Sequence, residues 1–184
     1  MENGSWKEAL EQERKGKDVF FATHPQSPVA LEDKAMFTGL AYFPVNLDFR
    51  FELSVHEYKD REVLEIQDTA GDMRQYLRWG KFKFRIDNEE CALQAYKSSP
   101  DEDQLFIPFK DGTSAKETYG AGRYLDLDPM RDRTPDGKWR LDFNKAYNPW
   151  CAYSIRFACP YVPPENWLKV PILAGEKKYP LNKT

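Results

Sequence analysis

From Leu47 the apolar residues recur with a period of two: Leu47, Phe49, Phe51, Leu53 and Val55 alternate with Asp48, Arg50, Glu52 and Ser54. Successive side chains of a strand point to opposite faces, so this alternation marks a strand with one buried face. Lys59-Asp60 reads as a turn and residues 63–66 as the partner strand. Ala70-Gly71-Asp72 turns the chain again, and residues 76–86 form a strand with Phe82, Phe84 and Ile86 inward. Asp87-Asn88 supplies the next turn, Cys91, Leu93 and Ala95 the next strand, and residues 105–109 another, limited to an edge or an end by Pro108. Residues 122–127, 139–143, 152–158 and 168–173 are further strand candidates. Short strands at hairpin spacing, without interleaved helices, predict an antiparallel sheet. With roughly eight strands to accommodate, closure into a barrel or a strongly bent sheet manages the edges best.

The first residues follow a different rule. Ser5-Trp6-Lys7-Glu8 has the spacing of a capping box, and Trp6, Ala9 and Leu10 share one face of a helix that continues in alternating charges to about Lys17. Trp6 is expected to pin this helix to the sheet, with Phe20-Phe21 continuing the contact. Residues 31–37 are a second short helix candidate. The expected organisation is therefore one domain over residues 1–184, mainly β. A helical N-terminal segment (1–37) packs on an antiparallel β core (45–177).

Charge and composition exclude several functions. A net charge of −3 argues against a dedicated nucleic-acid surface, which needs an excess of clustered Lys and Arg. No apolar run approaches a membrane span, and the N-terminus has no apolar signal core, so a cytoplasmic protein with no membrane partner is expected. Cys91, Cys151 and Cys159 are then thiols. Cys151 and Cys159 are close enough in sequence to meet across a hairpin. His24 and His56 are far apart, and no closely spaced His or Cys pair of the zinc type occurs, so no metal ligand is assigned and no cofactor is identified.

The region from Thr118 to Lys177 is dense in Gly, Pro, Asn and aromatic residues, and it carries a resemblance. Glu117-Thr118-Tyr119, Gly122-Arg123-Tyr124-Leu125, Leu141-Asp142-Phe143-Asn144 and Ala146-Tyr147-Asn148-Pro149 open the pattern. Cys151-Ala152-Tyr153, Cys159-Pro160, Pro163-Pro164-Glu165-Asn166 and Ala174-Gly175-Glu176 complete it. These blocks, in this order, resemble the bacterial and archaeal DUF1684 family, and Leu105 to Phe109 and the Trp6 region extend the likeness over most of the chain. The resemblance implies no established activity.

Candidate site residues follow from residue chemistry. Arg123, inside an apolar strand, needs an anionic partner if its head is buried: Asp142, Glu165 or Glu176, or a ligand carboxylate or phosphate. Asp142, Asn144, Tyr147 and Asn148 cluster within one short stretch. They either cap a turn through their own backbone or form the polar floor of an aromatic cavity. Pro163-Pro164 holds Glu165 and Asn166 on a stiff segment, and Glu165 paired with Asp142 or Glu176 would make an acid/base couple. The leading expectation is a pocket for a small polar or anionic metabolite, contacted by Tyr119, Arg123, Asn144, Tyr147, Asn148, Cys151, Asn166 and Glu176. An enzyme in the same pocket would use Asp142 and Glu165. A third reading is a structural or interaction domain that acts through partners, for example as a homodimer sharing an exposed sheet edge.

Overall fold

The computed structural model describes residues 2–179. A helix, α1 (Glu2–Thr23), precedes two antiparallel sheets. The larger sheet runs β2-β3-β4-β5-β6, with β2 His56–Gln67, β3 Met73–Ile86, β4 Glu89–Lys97, β5 Leu105–Phe109 and β6 Arg123–Leu127. The smaller pairs β1 (Arg50–Leu53) with β7 (Trp139–Asp142), Phe51 opposite Leu141. A four-residue helix, α2 (Pro129–Asp132), lies between β6 and β7, with the Asp128 side chain accepting from the Met130 N–H. The protein is thus mainly β, antiparallel, with an N-terminal helix.

Neither sheet closes, so of the two alternatives, a barrel or a strongly bent sheet, the barrel does not form. The edges are managed otherwise. The edge strand β2 carries exposed charges at Glu57, Lys59, Asp60, Glu62 and Glu65, which discourage pairing with another chain. Beyond β6, Tyr147 bridges Tyr124 through a reciprocal pair of backbone hydrogen bonds, so an irregular segment covers that edge.

The alternating side chains meet in one core: Phe82, Leu93, Ile107 and Phe109 of the large sheet pack with Leu141 and Phe143, all essentially without exposure. Each such side chain contributes roughly 1.5–3 kcal/mol by leaving water. At the β3–β4 hairpin, Asp87 and Asn88 both take positive φ, the backbone twist that suits a two-residue turn.

Several local expectations are corrected. Residues 47–49 form a 3-10 turn, the Asn46 side chain accepting from the Asp48 N–H, and the strand begins only at Arg50. The helix starts at Glu2, so Ser5 lies inside it rather than at its cap. It continues past Lys17 because Phe21 is buried edge-on against Tyr153, at 5.0 Å between ring centres. Residues 31–37 contain only a 3-10 turn, Lys34–Met36. Residues 152–158 and 168–173 are not strands. They are irregular backbone: within residues 152–157 amides bond preceding carbonyls in turns, Lys110 and Gly112 bond Leu168 and Val170, and the buried Arg123 and Asp111 hold Ile172.

Candidate functional site

Arg123 shows the pattern most clearly. Its guanidinium is fully buried and donates to the carbonyl oxygens of Ile172 (3.0 Å), Ala174 and Glu176 (3.1 Å). Its anionic partner is Asp111, at 2.9 Å, not one of the three carboxylates expected from the sequence. Asp111 in turn accepts from the backbone of Thr113 and Ile172 and from the Thr113 hydroxyl. Burial lowers the Arg123 pKa, an effect opposed by the Asp111 charge. The pair therefore ties the segment after β5 to the last extended segment of the fold.

The amides and acids behave similarly. Asn166, fully buried, accepts from the Gln94 N–H (2.7 Å) and donates to the carbonyls of Gln94 (3.0 Å) and Pro108 (2.7 Å), standing in for a missing strand. Asn144 treats Asn46 the same way, accepting its N–H and donating to its carbonyl, both at 2.8 Å. Asp142 accepts from the Asn144 backbone (3.0 Å) and side chain (2.9 Å), so it caps the turn that follows β7. It also accepts the Trp6 indole N–H at 3.0 Å, and this contact pins α1 to the sheet. Glu176 accepts from Lys17, the Asn148 N–H (2.8 Å) and the Tyr153 hydroxyl (2.6 Å), while the Asn148 side chain donates to the Lys177 carbonyl. Gly175, at φ +79°, sits where a Cβ would lie 2.6 Å from the Ala146 carbonyl oxygen, which is how Glu176 comes so near this turn.

Asp142 and Glu165 share no hydrogen-bond partner and no cavity. Glu165 receives a forked pair of bonds from Arg78 (3.1 and 2.6 Å) and the Tyr96 hydroxyl on the other side of the molecule. The Tyr119 hydroxyl donates to Cys151 Sγ at 3.9 Å. Among the described residues no group of three or more His, Cys, Asp or Glu is placed to hold a metal ion.

A concavity does lie under α1. One part, about 200 Å³, is lined by Glu13 of α1, Asp126 of β6, Arg131 and Asp132 of α2, Arg140 and Asp142 of β7, and Lys145 and Tyr147. The adjoining part, about 140 Å³, shares Glu13, Lys145 and Tyr147 and adds Arg14, Lys17, Tyr42, Asn144 and Glu176. Where they meet, the Tyr147 hydroxyl donates to Asp126 Oδ2 at 2.5 Å. Solvent reaches Asp126, yet the surrounding protein removes enough water to raise its carboxyl pKa, more than the Tyr147 bond lowers it. Burial, and then the Asp126 charge, push the Tyr147 phenol up. In the second part, Arg14 Nε and the Tyr42 hydroxyl have no partner among the described residues, although Arg14 also clamps the Phe43 and Asn144 carbonyls. Two larger depressions, near Phe84 and Cys91 and near Trp150 and Phe157, lie elsewhere and are open to solvent, as is the second part of the cleft.

The sequence reading included Tyr147 but missed Asp126, Arg140, Lys145 and the contribution of α1. Asp126 had one signal, its outward position between Leu125 and Leu127, but outward acids on strands are common. The landing site of α1 is set by Trp6 on Asp142, Arg14 on the Asn144 carbonyl, Lys17 on Glu176 and Phe21 on Tyr153, contacts that sequence alone does not pair.

Asp126 gives a testable pH dependence. The folded protein holds this proton more tightly than the unfolded chain does. Its contribution is present below the ordinary carboxylate range and is lost as pH rises through the raised folded value. In urea titrations across acidic pH, Asp126→Asn should gain on the parent as pH rises through that window. A constant difference would mean the carboxyl is unperturbed.

These features define a mainly β protein with two open antiparallel sheets and a polar cleft roofed by its N-terminal helix. The chain belongs to the family described as "Protein of unknown function (DUF1684)", whose model matches residues 35–177. It is similar to a solution NMR structure of an uncharacterized protein from gene locus rrnAC0354 of Haloarcula marismortui, at 38% identity over 96% of each chain and a TM-score of 0.73. No curated protein matches it. No described helix is long and apolar enough to cross a membrane.

Proposed function

We propose that the protein binds a small polar metabolite in the cleft under α1, and that the Asp126–Tyr147 pair is its central contact. The observation that carries this reading is the 2.5 Å bond between a solvent-reached carboxyl of raised pKa and a phenol at the junction of the two cavities. Perturbed titratable groups in a concavity are the usual mark of a working site. Most of the other conspicuous polar groups of the C-terminal third are occupied by backbone; this pair bonds mainly to itself and faces open volume.

The wall chemistry narrows the ligand. Across both parts, Arg14, Lys17, Arg131, Arg140 and Lys145 are matched by Glu13, Asp126, Asp132, Asp142 and Glu176, and Lys145 lies 3.5 Å from Asp132 and Arg140 3.2 Å from Glu52. Balanced charge favours a neutral or zwitterionic molecule rich in hydroxyl or amino groups over a multiply charged anion. The unpartnered Arg14 and Tyr42 donors leave further hydrogen-bonding capacity at the second end. An acid/base enzyme in the same cleft is the second reading, and Asp126, whose raised pKa suits proton transfer, replaces Glu165 in it.

Native mass spectrometry of the purified protein tests binding. The parent should carry extra mass that is lost on denaturation, and Tyr147→Phe should lose it while keeping its fold. Equal retention by the variant would remove Tyr147 from the site.

A further inference from the structure

Cys151 and Cys159 meet behind the cleft, in an aromatic cluster with Tyr119, Tyr124 and Val162. Cys151 sits in the 3-10 turn Trp150–Ala152, and its backbone N–H donates to Cys159 Sγ at 3.4 Å. The Cys159 N–H is held by the Thr69 hydroxyl at 3.1 Å. Arg74 anchors the same corner, donating to Asp68 at 2.9 Å and to the Ala158 carbonyl at 3.1 Å, which brings a guanidinium charge near Cys159. The two sulfurs are therefore unequal. One is surrounded by donors and a cation; the other lies beside a phenol that donates to it at 3.9 Å.

We propose that this pair is a peroxide-oxidisable dithiol in which Cys159 is the attacking thiolate and Cys151 the resolving thiol. The thiolate, not the thiol, is the nucleophile, and donors at sulfur favour it. Donation from the Cys151 thiol, helped by backbone N–H groups and Arg74, lowers the Cys159 pKa, whereas the same contact together with burial raises that of Cys151. Cys91, about as buried but with no second cysteine beside it, has its pKa raised by burial and serves as an internal control.

The chemistry balances. Cys159 sulfur attacks one peroxide oxygen, the O–O bond breaks, and the departing hydroxide takes a proton to become water. The resulting sulfenic acid is attacked by Cys151 sulfur, which gives up its proton; the S–O bond breaks and a second water leaves. Two thiols and one peroxide thus yield one disulfide and two waters. Both cysteines keep some exposure, at 9% and 8%, and Ile155 in the chain between them is exposed.

The test treats the folded protein with hydrogen peroxide, alkylates remaining thiols and maps the peptides. The expected product joins Cys151 to Cys159 and leaves Cys91 alkylated. In Cys151→Ser the reaction should stop at a Cys159 sulfenic acid that dimedone captures, and Cys159→Ser should slow peroxide consumption at least tenfold or so, roughly the gain from a preformed thiolate. The proposal is overturned if all three cysteines of the parent still alkylate after a dose that oxidises a free thiol. It is also overturned if Cys91 reacts first, or if Cys151 is sulfenylated in Cys159→Ser as fast as Cys159 is in Cys151→Ser. The parent mapping needs no variant to fold.

Discussion

Arg123→Met should cost about 3–5 kcal/mol of stability, the penalty for leaving one member of a buried ion pair without its partner. The charge left behind is Asp111, itself buried, and the carbonyls of Ile172, Ala174 and Glu176 lose their donor at the same time. Met fills much of the volume, so the loss isolates the polar contribution. Against a total stability of about 5–15 kcal/mol for an ordinary domain, this is enough to unfold a large fraction of the protein at moderate temperature. Urea denaturation at neutral pH measures it. A loss below about 1 kcal/mol would mean that Arg123 is not the clamp described, since buried polar groups left unmatched cost more than that.

Asn166→Ala should have a similar effect, roughly 3–5 kcal/mol, by another route. No charge is stranded, but the Gln94 N–H and the carbonyls of Gln94 and Pro108 lose their partner together, at about 1–3 kcal/mol for each group left unsatisfied. The damage should be local. Amide exchange should accelerate at Gln94 and along the β4–β5 pairing first, while the β2–β3 hairpin keeps its protection. Uniform loss of protection across both regions would contradict a role confined to that joint.

The two substitutions also explain which parts of the fold were legible. Alternation identified the β3, β4 and β5 strands because their inward residues, Phe82, Leu93 and Ile107, are all core, and a period of two needs no knowledge of partners. Trp6 was legible as an anchor because a lone large apolar residue on a charged helix has few other uses. Arg123 was legible as a residue that needs a partner, and Asn166 as a polar group on a stiff segment, but the partners of neither were. Asp111 lies in a polar turn indistinguishable from a surface loop, and the contact of Asn166 with Gln94 depends on packing across the molecule. The irregular stretches 152–158 and 168–173 looked like strands because they are apolar. In 168–173 the apolar residues Val170 and Ile172 are core, and Arg123 and Asp111 bond the Ile172 backbone; in 152–158 Ile155 is exposed and the backbone bonds its own preceding carbonyls.

The candidate site was less legible for the same reason. Residue types that suggest a ligand contact, buried Asn, Asp and Arg, are also those that satisfy buried irregular backbone. Asp126, with no cluster around it in sequence, became conspicuous only when the fold set it against Tyr147 under α1. Tyr147 was conspicuous for its neighbours Asn144 and Asn148, whose side chains turned out to hold Asn46 and Lys177.

The most direct test of the cleft is an amide NMR titration of the parent protein with a panel of small polyols, sugars and amino acids. Binding under α1 predicts that at least one class shifts resonances concentrated at Asp126, Arg140, Lys145 and Tyr147, with Glu13, Arg14 and Lys17 following across the roof. Shifts centred instead on the depressions near Cys91 or Trp150, or none at millimolar ligand, would contradict it.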